Sequence, residues 1–446
     1  MSDFLDSSRL PDLADRPARR HPARRVSARR VSAGRRLALV LALVVALGLP
    51  LFLNDFWLQA GLFSMAAIVA AVGLTLLVGT AGQLSLGHAA FAALGAYAYT
   101  WTAGDTGAAP AGLGLPPLLA LVAAAGCGAI AGALFSPISG RLRGIYLGLA
   151  TVGLVFVSRH VLVNASSVTG GYNGRRVEPF SVPGFSFSNS EPDYLAVAGV
   201  EFEGLHRLWY LFVLVTAVAA ALASNLRRSR SGRALASVRD GETTAAAMGI
   251  NVRRAKATAF TVSSAYAGLG GALMALAFGR IAPDLFGLQL SIDFLIMIVI
   301  GGLGSVAGAA VGAVFVTTLP LVLTEYGADL PFLAAPGSGG LDGATLSRFA
   351  YGAAIIAVLL FLRGGLAGGL GRARSTLRDR RRAPSAGADG QAQPGRQADS
   401  GTAKDPGTAK DPGTAKDPAG PADRPEHELP SHSAPAVPSR SKETSA

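Results

Sequence analysis

Residues Gln59 to Tyr99 read QAGLFSMAAIVAAVGLTLLVGTAGQLSLGHAAFAALGAYAY, with no Asp, Glu, Lys or Arg anywhere in the run. A surface helix of a soluble protein needs a polar stripe, and this stretch has none. A hydrocarbon layer about 30 Å thick is crossed by about 20 residues of helix, so the run is long enough for two crossings. Its natural division is the cluster Gly79-Thr80-Ala81-Gly82, where glycines weaken a helix by about 1 kcal/mol each relative to alanine.

Working outward, similar charge-free runs cover Leu113–Gly140, Leu208–Leu226, Ala257–Gly279, Phe294–Thr324 and Phe349–Leu362. Half of the 446 residues are hydrophobic and only 15% are charged. The pattern predicts an all-α polytopic membrane bundle of about ten helices with Gly-rich breaks, at roughly 37–56, 58–78, 82–102, 115–136, 144–163, 207–226, 257–279, 290–304, 306–323 and 348–363. The second break is expected at Gly301, Gly302 and Gly304. Backbone that leaves a helix within a membrane must be buried in protein or line a wet cavity; close helix packing through small residues is the simpler use of the same glycines.

The apolar run Leu37–Leu53 has a secretory signal as its rival reading. Pro50 is followed by Leu51, Phe52 and Leu53 rather than by a small-residue cleavage site, which favours an uncleaved first span. The formal charge of +12 is concentrated beside the spans, beginning with nine arginines between Arg16 and Arg36. Such placement is the signature of cytoplasmic retention, so nucleic acid is not an expected partner. The bias puts the basic arm 1–36, the segment 227–256 and the tail in the cytoplasm. It puts the loop 164–206 outside. The transmembrane domain is expected to span 37–363. Beyond it, residues 372–446 carry three copies of Gly-Thr-Ala-Lys-Asp-Pro and are expected to form a disordered cytoplasmic extension. The single cysteine, Cys127, lies in an apolar run, so disulfides and a cysteine-based metal site are excluded.

The most informative polar segment is SGRALASVRDGETTAAAMGINV, from Ser231 to Val252. It predicts two short helices, the second capped by Asp240 with Glu242 in its first turn, where the helix dipole favours an acid. Ala245, Ala246, Ala247 and Met248 then form a small smooth surface, and Gly249 is placed to end the helix in the left-handed region. Such a helix suits a groove on another protein, although its local features fit an ordinary surface helix as well.

Within the spans, Gln83, Ser85 and His88 are polar groups beside a chain break. Polar groups at that depth usually face a bundle interior or water. A neutral His88 bonded to a neighbouring helix is the plainer reading and contact with cargo the sharper one. Arg159 and His160 sit near a span end and receive no role. Asp293, at the start of a span, suits an interfacial or capping role better than a proton relay. Thr169-Gly170-Gly171-Tyr172-Asn173-Gly174 has turn chemistry, since Asn and Gly tolerate positive φ.

Four stretches carry a resemblance: GTAGQLSLGHAAF from Gly79, LRGIYLGLAT from Leu142 with TGGYNG from Thr169, the segment GRAL to AAMGINV from Gly232, and Ser291-Ile through IGGLGSVAG from Ile300. Together they resemble, in order over roughly Gly73–Gly312, the branched-chain amino-acid permease family of ABC importers, its M-type (LivM-like) subunit in particular. The resemblance implies that Asp240, Glu242, Ala245, Ala246, Met248 and Gly249 belong to the helix that couples to an ATPase. It implies that Gln83, Ser85, His88, Gly301, Gly302 and Gly304 belong to the translocation region. Thr169, Gly170, Gly171, Asn173 and Gly174 would then meet a substrate-loaded binding protein.

The partners implied are an H-type permease, two ATP-binding subunits and an extracytoplasmic substrate-binding protein, in the inner membrane with both termini cytoplasmic. None of Lys256, Lys404, Lys410, Lys416 or Lys442 sits in a Gly-x-x-x-x-Gly-Lys-Ser/Thr context, so the chain is expected to be no enzyme and to hold no cofactor; ATP would be used by the partners. A secondary transporter, a channel or a membrane enzyme would call for intramembrane carboxylates, charged rings or acid–base and metal clusters, which the spans lack. Branched-chain amino acids are the implied cargo, with urea or other amino acids as alternatives.

Overall fold

The computed structural model describes residues 43–326, apart from 109, 143, 183–184, 188–195, 198–199 and 202, together with 343–361. The basic arm 1–36, the tail 372–446 and residues 37–42 at the start of the expected first crossing lie outside the described residues.

Asn54 opens the first long helix, its side chain accepting a hydrogen bond from Trp57 N at 3.2 Å. This helix, α1 (Asp55–Leu74), widens into a π-helical stretch, Thr75–Thr80, before the chain leaves helical geometry. There follow α2 (His88–Ala103), α3 (Pro117–Arg141) and α4 (Ile145–Asn164). After an irregular loop come α5 (Gly204–Arg228), α6 (Arg230–Asp240) and α7 (Glu242–Ala247). The chain continues through α8 (Val252–Phe278), α9 (Leu288–Gly301), α10 (Val306–Glu325) and α11 (Gly343–Phe361).

Among the described residues, six helical segments are long and apolar enough to cross a membrane: Asp55–Thr80, Pro117–Arg141, Ile145–Asn164, Gly204–Arg228, Val252–Phe278 and Val306–Glu325. The protein is thus an all-α multi-pass membrane bundle. Of the other expected crossings, α2 and α9 are helices of 16 and 14 residues. At 1.5 Å per residue they are about 24 and 21 Å long, short of a full hydrocarbon layer. The stretch expected to start α2 at residue 82 is non-helical until His88, because Gly82 takes φ +70° and the backbone through Gly87 bonds elsewhere. The expected first span does not run unbroken to 56 either, since helix gives way after Gly48 to a 3₁₀ turn at Leu49–Leu51 around Pro50.

Burial ranks the helices. In their apolar stretches 83% of the residues of α1 and 67% of those of α8 are buried, against 28–33% in the other four crossings. α8 sits among α1, α2 and α3. What lets four helices approach so closely is the lack of side chains at the seams: a methyl group on Gly268 would press on Ala124 of α3, one on Gly270 on Ala70 of α1, and one on Gly271 on Ala92 of α2. Where large side chains do meet, they interlock, as Phe260 does with Phe91 and Phe135 at centroid distances of 5.6 and 5.3 Å. The outward faces of α3, α4 and α5 expose Leu118, Val122, Leu134, Leu149, Phe156, Leu214 and Leu222, as expected where the surrounding solvent is hydrocarbon.

The strands are two-residue pieces in loops. The one that matters joins β1 (Arg175–Arg176) to β2 (Arg280–Ile281), pinning the loop after α4 to the end of α8.

Candidate coupling and translocation site

Three of the four sequence stretches quoted above, that from Gly232 to Val252 among them, meet at one place, where α1 breaks. Gly79, in the π-helical stretch, lies against the second break: a methyl group on Gly79 would overlap the Gly304 backbone, and one on Gly304 would stand 3.3 Å from Gly79 O. Gly302 and Gly304 adopt φ +104° and +78°, a region open to glycine at little cost. Ser305 then caps α10 by accepting from Gly308 N at 3.0 Å. The predicted breaks at 79–82 and 301–304 therefore form one contact.

The non-helical segment after Gly82 has its backbone groups satisfied by neighbours, as burial in a membrane protein requires. Leu86 N donates to Thr151 Oγ1 of α4 at 2.9 Å, and Gly87 N donates to Ser85 Oγ at 3.3 Å. Ala89 N, in the first turn of α2, donates to Ser291 Oγ of α9 at 3.0 Å. His88 is 1% exposed; its Nε2 stands 3.0 Å from Ala70 O, and its ring meets Phe294 edge-on. Ala70 is ten residues from Thr80, about 15 Å along α1, so His88 lies well inside the bundle from the break. Gln83 stands apart from these. It is 5% exposed, yet neither its Nε2 nor its Oε1 has a hydrogen-bond partner. The Thr75 and Thr80 hydroxyls of the same segment are likewise buried and unpaired. The break therefore concentrates buried polar side chains that have no hydrogen-bond partner among the described protein groups.

The polar segment expected to couple folds as two helices. α6 begins with Ser229 Oγ accepting from Gly232 N at 3.2 Å. It runs through Asp240, so Asp240 does not cap α7 as predicted: a cap must sit outside helical geometry, and Gly241 takes that position. The Asp240 carboxylate instead accepts from Arg239, the Nε and Nη2 atoms each at 3.1 Å. Arg239 Nη1 donates to Gly79 O at 2.8 Å, and its stem packs on Gly82. Gly249, at φ +79°, closes α7 with Ile250 N bonded to Ala245 O at 3.0 Å. Ala245 is fully buried and faces the bundle, while Ala246, Ala247, Met248 and Gly249 are exposed. Glu242 is ion-paired at 2.6 Å with Lys256, whose ammonium stem is 4% exposed in the first turns of α8.

Arg239 and Lys256 were absent from the sequence-based set. Lys256 had a visible signal, being the only lysine ahead of the tail. Arg239 had none, as one of several arginines in a basic segment.

On the opposite end, Thr169 Oγ1 donates to Leu162 O and Ala165 O at 2.6 and 2.9 Å and accepts from Gly171 N. Gly170, Gly171 and Gly174 all have positive φ, and Asn173 O accepts from Arg280 at 3.0 and 3.2 Å. The turn leaves Tyr172 exposed at its tip. Arg175 behind it is 3% exposed, bonds to Ala111 O and Val168 O, and is drawn below the ordinary arginine pKa by burial. Arg159 is ion-paired with Asp284, and Asp293 accepts from Gln289 and Tyr351 at 3.0 Å each, which ties α11 to α9.

The sequence matches the permease component of the branched-chain amino-acid transport system over residues 58–362. It is 31% identical to the high-affinity branched-chain amino acid transport system permease protein LivM of Salmonella typhimurium, over 66% of this chain and 69% of that protein. It is 30% identical to LivM of Escherichia coli over the same shares, and 26% identical to LivH of that organism over 62% of this chain and 87% of LivH. No solved structure matches it significantly. The matched region contains both glycine breaks, the coupling segment and the outer turn, and on that ground the chain belongs to the family of branched-chain amino-acid transport permeases.

Proposed function

We propose that this chain is one of two membrane-spanning subunits of an ATP-driven importer of branched-chain amino acids. An H-type permease is the second, with two separate ATPase subunits in the cytoplasm and a substrate-binding protein outside. ATP is the partners' ligand, and this chain carries no cofactor. The segment 227–256 and both termini face the cytoplasm of the inner membrane.

The observation that carries the reading is a continuous connection. The exposed surface Ala246–Gly249 stands on Ala245. Glu242 in the same helix is paired with Lys256 of α8, and Arg239 in the helix before it holds Gly79 O at the paired breaks. A push on α7 is thereby delivered to the central helix and to the seam between α1 and α10. Nucleotide shifts the two access states only if its affinity differs between them, and this linkage is the route for that difference. The buried polar groups at Thr75, Thr80 and Gln83 gain access to water and cargo when the seam opens. Permeation of urea or other amino acids is the second reading within the family, since the external binding protein selects the cargo.

Reconstitution with the four partners and uptake of labelled L-leucine tests the proposal. Ala246→Arg adds bulk and charge at an exposed position, so insertion proceeds while ATPase association and uptake are lost. Uptake at the unmodified rate in that variant, or by the chain without any ATPase, refutes it.

A further inference from the structure

α5 and α8 are joined where Tyr266 Oη donates to Ala219 O at 2.9 Å. Nearer the end of the bundle where α6 begins, a cavity of about 150 Å³ lies between these two helices and α6. Its floor is apolar and buried, made by Leu76 of the π-helical stretch, Leu235 of α6 and Ala259 of α8, and Leu226 of α5 forms a wall. Its exposed members, Ser231 and Arg254 among them, mark the open side. At roughly 30 Å³ for a group the size of a water or a methylene, it takes about five methylenes, a short length of hydrocarbon chain. A longer chain has a track to follow beyond it. Leu226 ends a ridge of α5 with Leu214, Val218 and Leu222, spaced by four residues, and those three are exposed. At 1.5 Å per residue the ridge is about 18 Å long.

The open side is basic. Segment 227–256 holds seven arginines and one lysine against two acids, a net charge of +6. Both acids are engaged, Asp240 with Arg239 and Glu242 with Lys256. Arg228, Arg230, Arg233, Arg253 and Arg254 are exposed and make no ion pair among the described residues. Arg228 ends α5, while Arg253 and Arg254 begin α8, so these charges stand where spans leave the hydrocarbon and lipid headgroups lie. Basic clusters at that level attract anionic headgroups, and a guanidinium matches phosphate oxygens as a two-pronged donor.

We propose that this cavity binds one anionic phospholipid from the leaflet at this end of the bundle. Its phosphate lies against Arg254 and Ser231, the first methylenes of one chain fill the cavity, and the rest of that chain follows the α5 ridge. Such a site needs neither ATPase nor cargo.

The test uses the full chain, solubilised from its membrane in a mild detergent with the subunits that accompany it. It is exposed to equimolar dioleoyl phosphatidylglycerol and dioleoyl phosphatidylcholine in mixed micelles, and native mass spectrometry reads the phospholipid retained. Phosphatidylglycerol is retained over phosphatidylcholine by about fivefold or more, the factor that one arginine beside an anionic headgroup supplies. Ala234→Phe fills the cavity from α6 and keeps every arginine, whereas Arg254→Gln removes one charge at an exposed position and keeps the cavity. Each abolishes the preference. Arg253→Gln makes the same change of charge one residue away, outside the lining, and preserves it. Equal retention of the two lipids, or a preference that survives both Ala234→Phe and Arg254→Gln, overturns the proposal. An equal loss in Arg253→Gln overturns it in favour of unspecific attraction to a basic surface. Loss of an accompanying subunit from Ala234→Phe with the lipid preference kept makes the cavity a protein interface instead. If Ala234→Phe does not fold, the contrast between Arg254→Gln and Arg253→Gln decides.

Discussion

Replacing Lys256 by methionine keeps the length and apolar stem of a 6% exposed side chain and deletes its charge. Two unit charges 2.6 Å apart attract by on the order of 6 kcal/mol at an effective dielectric of about 20, most of which is offset by the desolvation of both groups. The net loss is set by what the substitution leaves behind. Removing one partner of a fully buried pair costs about 3–5 kcal/mol. The Glu242 side chain is 28% exposed and keeps part of its hydration, which brings the expected loss to about 2–3 kcal/mol. At 1.4 kcal/mol per decade, the population with α7 detached from α8 rises roughly 30- to 150-fold. A detached α7 still meets an ATPase, so hydrolysis continues while transport lags. The assay is the ratio of ATP hydrolysed to leucine imported in the reconstituted complex, which rises in Lys256→Met. Adding Glu242→Gln removes the stranded carboxylate, and the double variant is less impaired than the two single losses summed. An unchanged ratio in Lys256→Met, or strict additivity in the cycle, refutes the argument that this pair transmits the coupling motion.

Gly304→Ala places a side chain at φ +78° and 3.3 Å from Gly79 O, a cost of about 1–2 kcal/mol, and slows leucine uptake without loss of assembly on size-exclusion chromatography. Wild-type uptake there would contradict a functional seam. Thr151→Val preserves shape but leaves the Leu86 N–H without its 2.9 Å acceptor, lowering stability by about 1–3 kcal/mol in thermal unfolding of the detergent-solubilised chain. An unshifted transition would mean that the loop finds another acceptor. Gly174→Ala combines φ +68° with a methyl group against Ile281 O, so it loosens the outer turn and weakens binding-protein docking in a pull-down, with ATPase association retained. Equal docking by this variant would remove the turn from the docking surface.

Much of this architecture was legible because hydrocarbon imposes a coarse rule: charge-free runs become helices, and charged segments do not enter. The segments α3, α5 and α8 follow their charge-free runs to within a few residues for that reason. The start of α2 was misplaced because apolar composition is the same for helix and for buried irregular backbone; Leu84 and Leu86 carry no mark of Thr151 on another helix waiting to accept a bond. Gly79 and Gly304 were visible as breaks, but their mutual contact depends on how α1 and α10 pack, which no local pattern encodes. Asp240 looked like a cap because its residue type and position allowed it. Where α6 ended decided the matter, and helix ends are set by tertiary neighbours as much as by caps. Lys256 was conspicuous in composition, whereas its partnership with Glu242 required the two segments to be brought side by side.

The glycine seams of α8 also divide the bundle mechanically. Gly268, Gly270 and Gly271 turn toward three different helices, so a twist of α8 about its own axis would drive a neighbouring side chain into some backbone whichever way it went. α1, α2, α3 and α8 are therefore best regarded as a chassis that shifts as one piece. The tight turn that joins α9 and α10 is built the same way, from Gly301 against Gly308 and the positive-φ residues Gly302 and Gly304, so this hairpin too is held by backbone contact rather than by side chains.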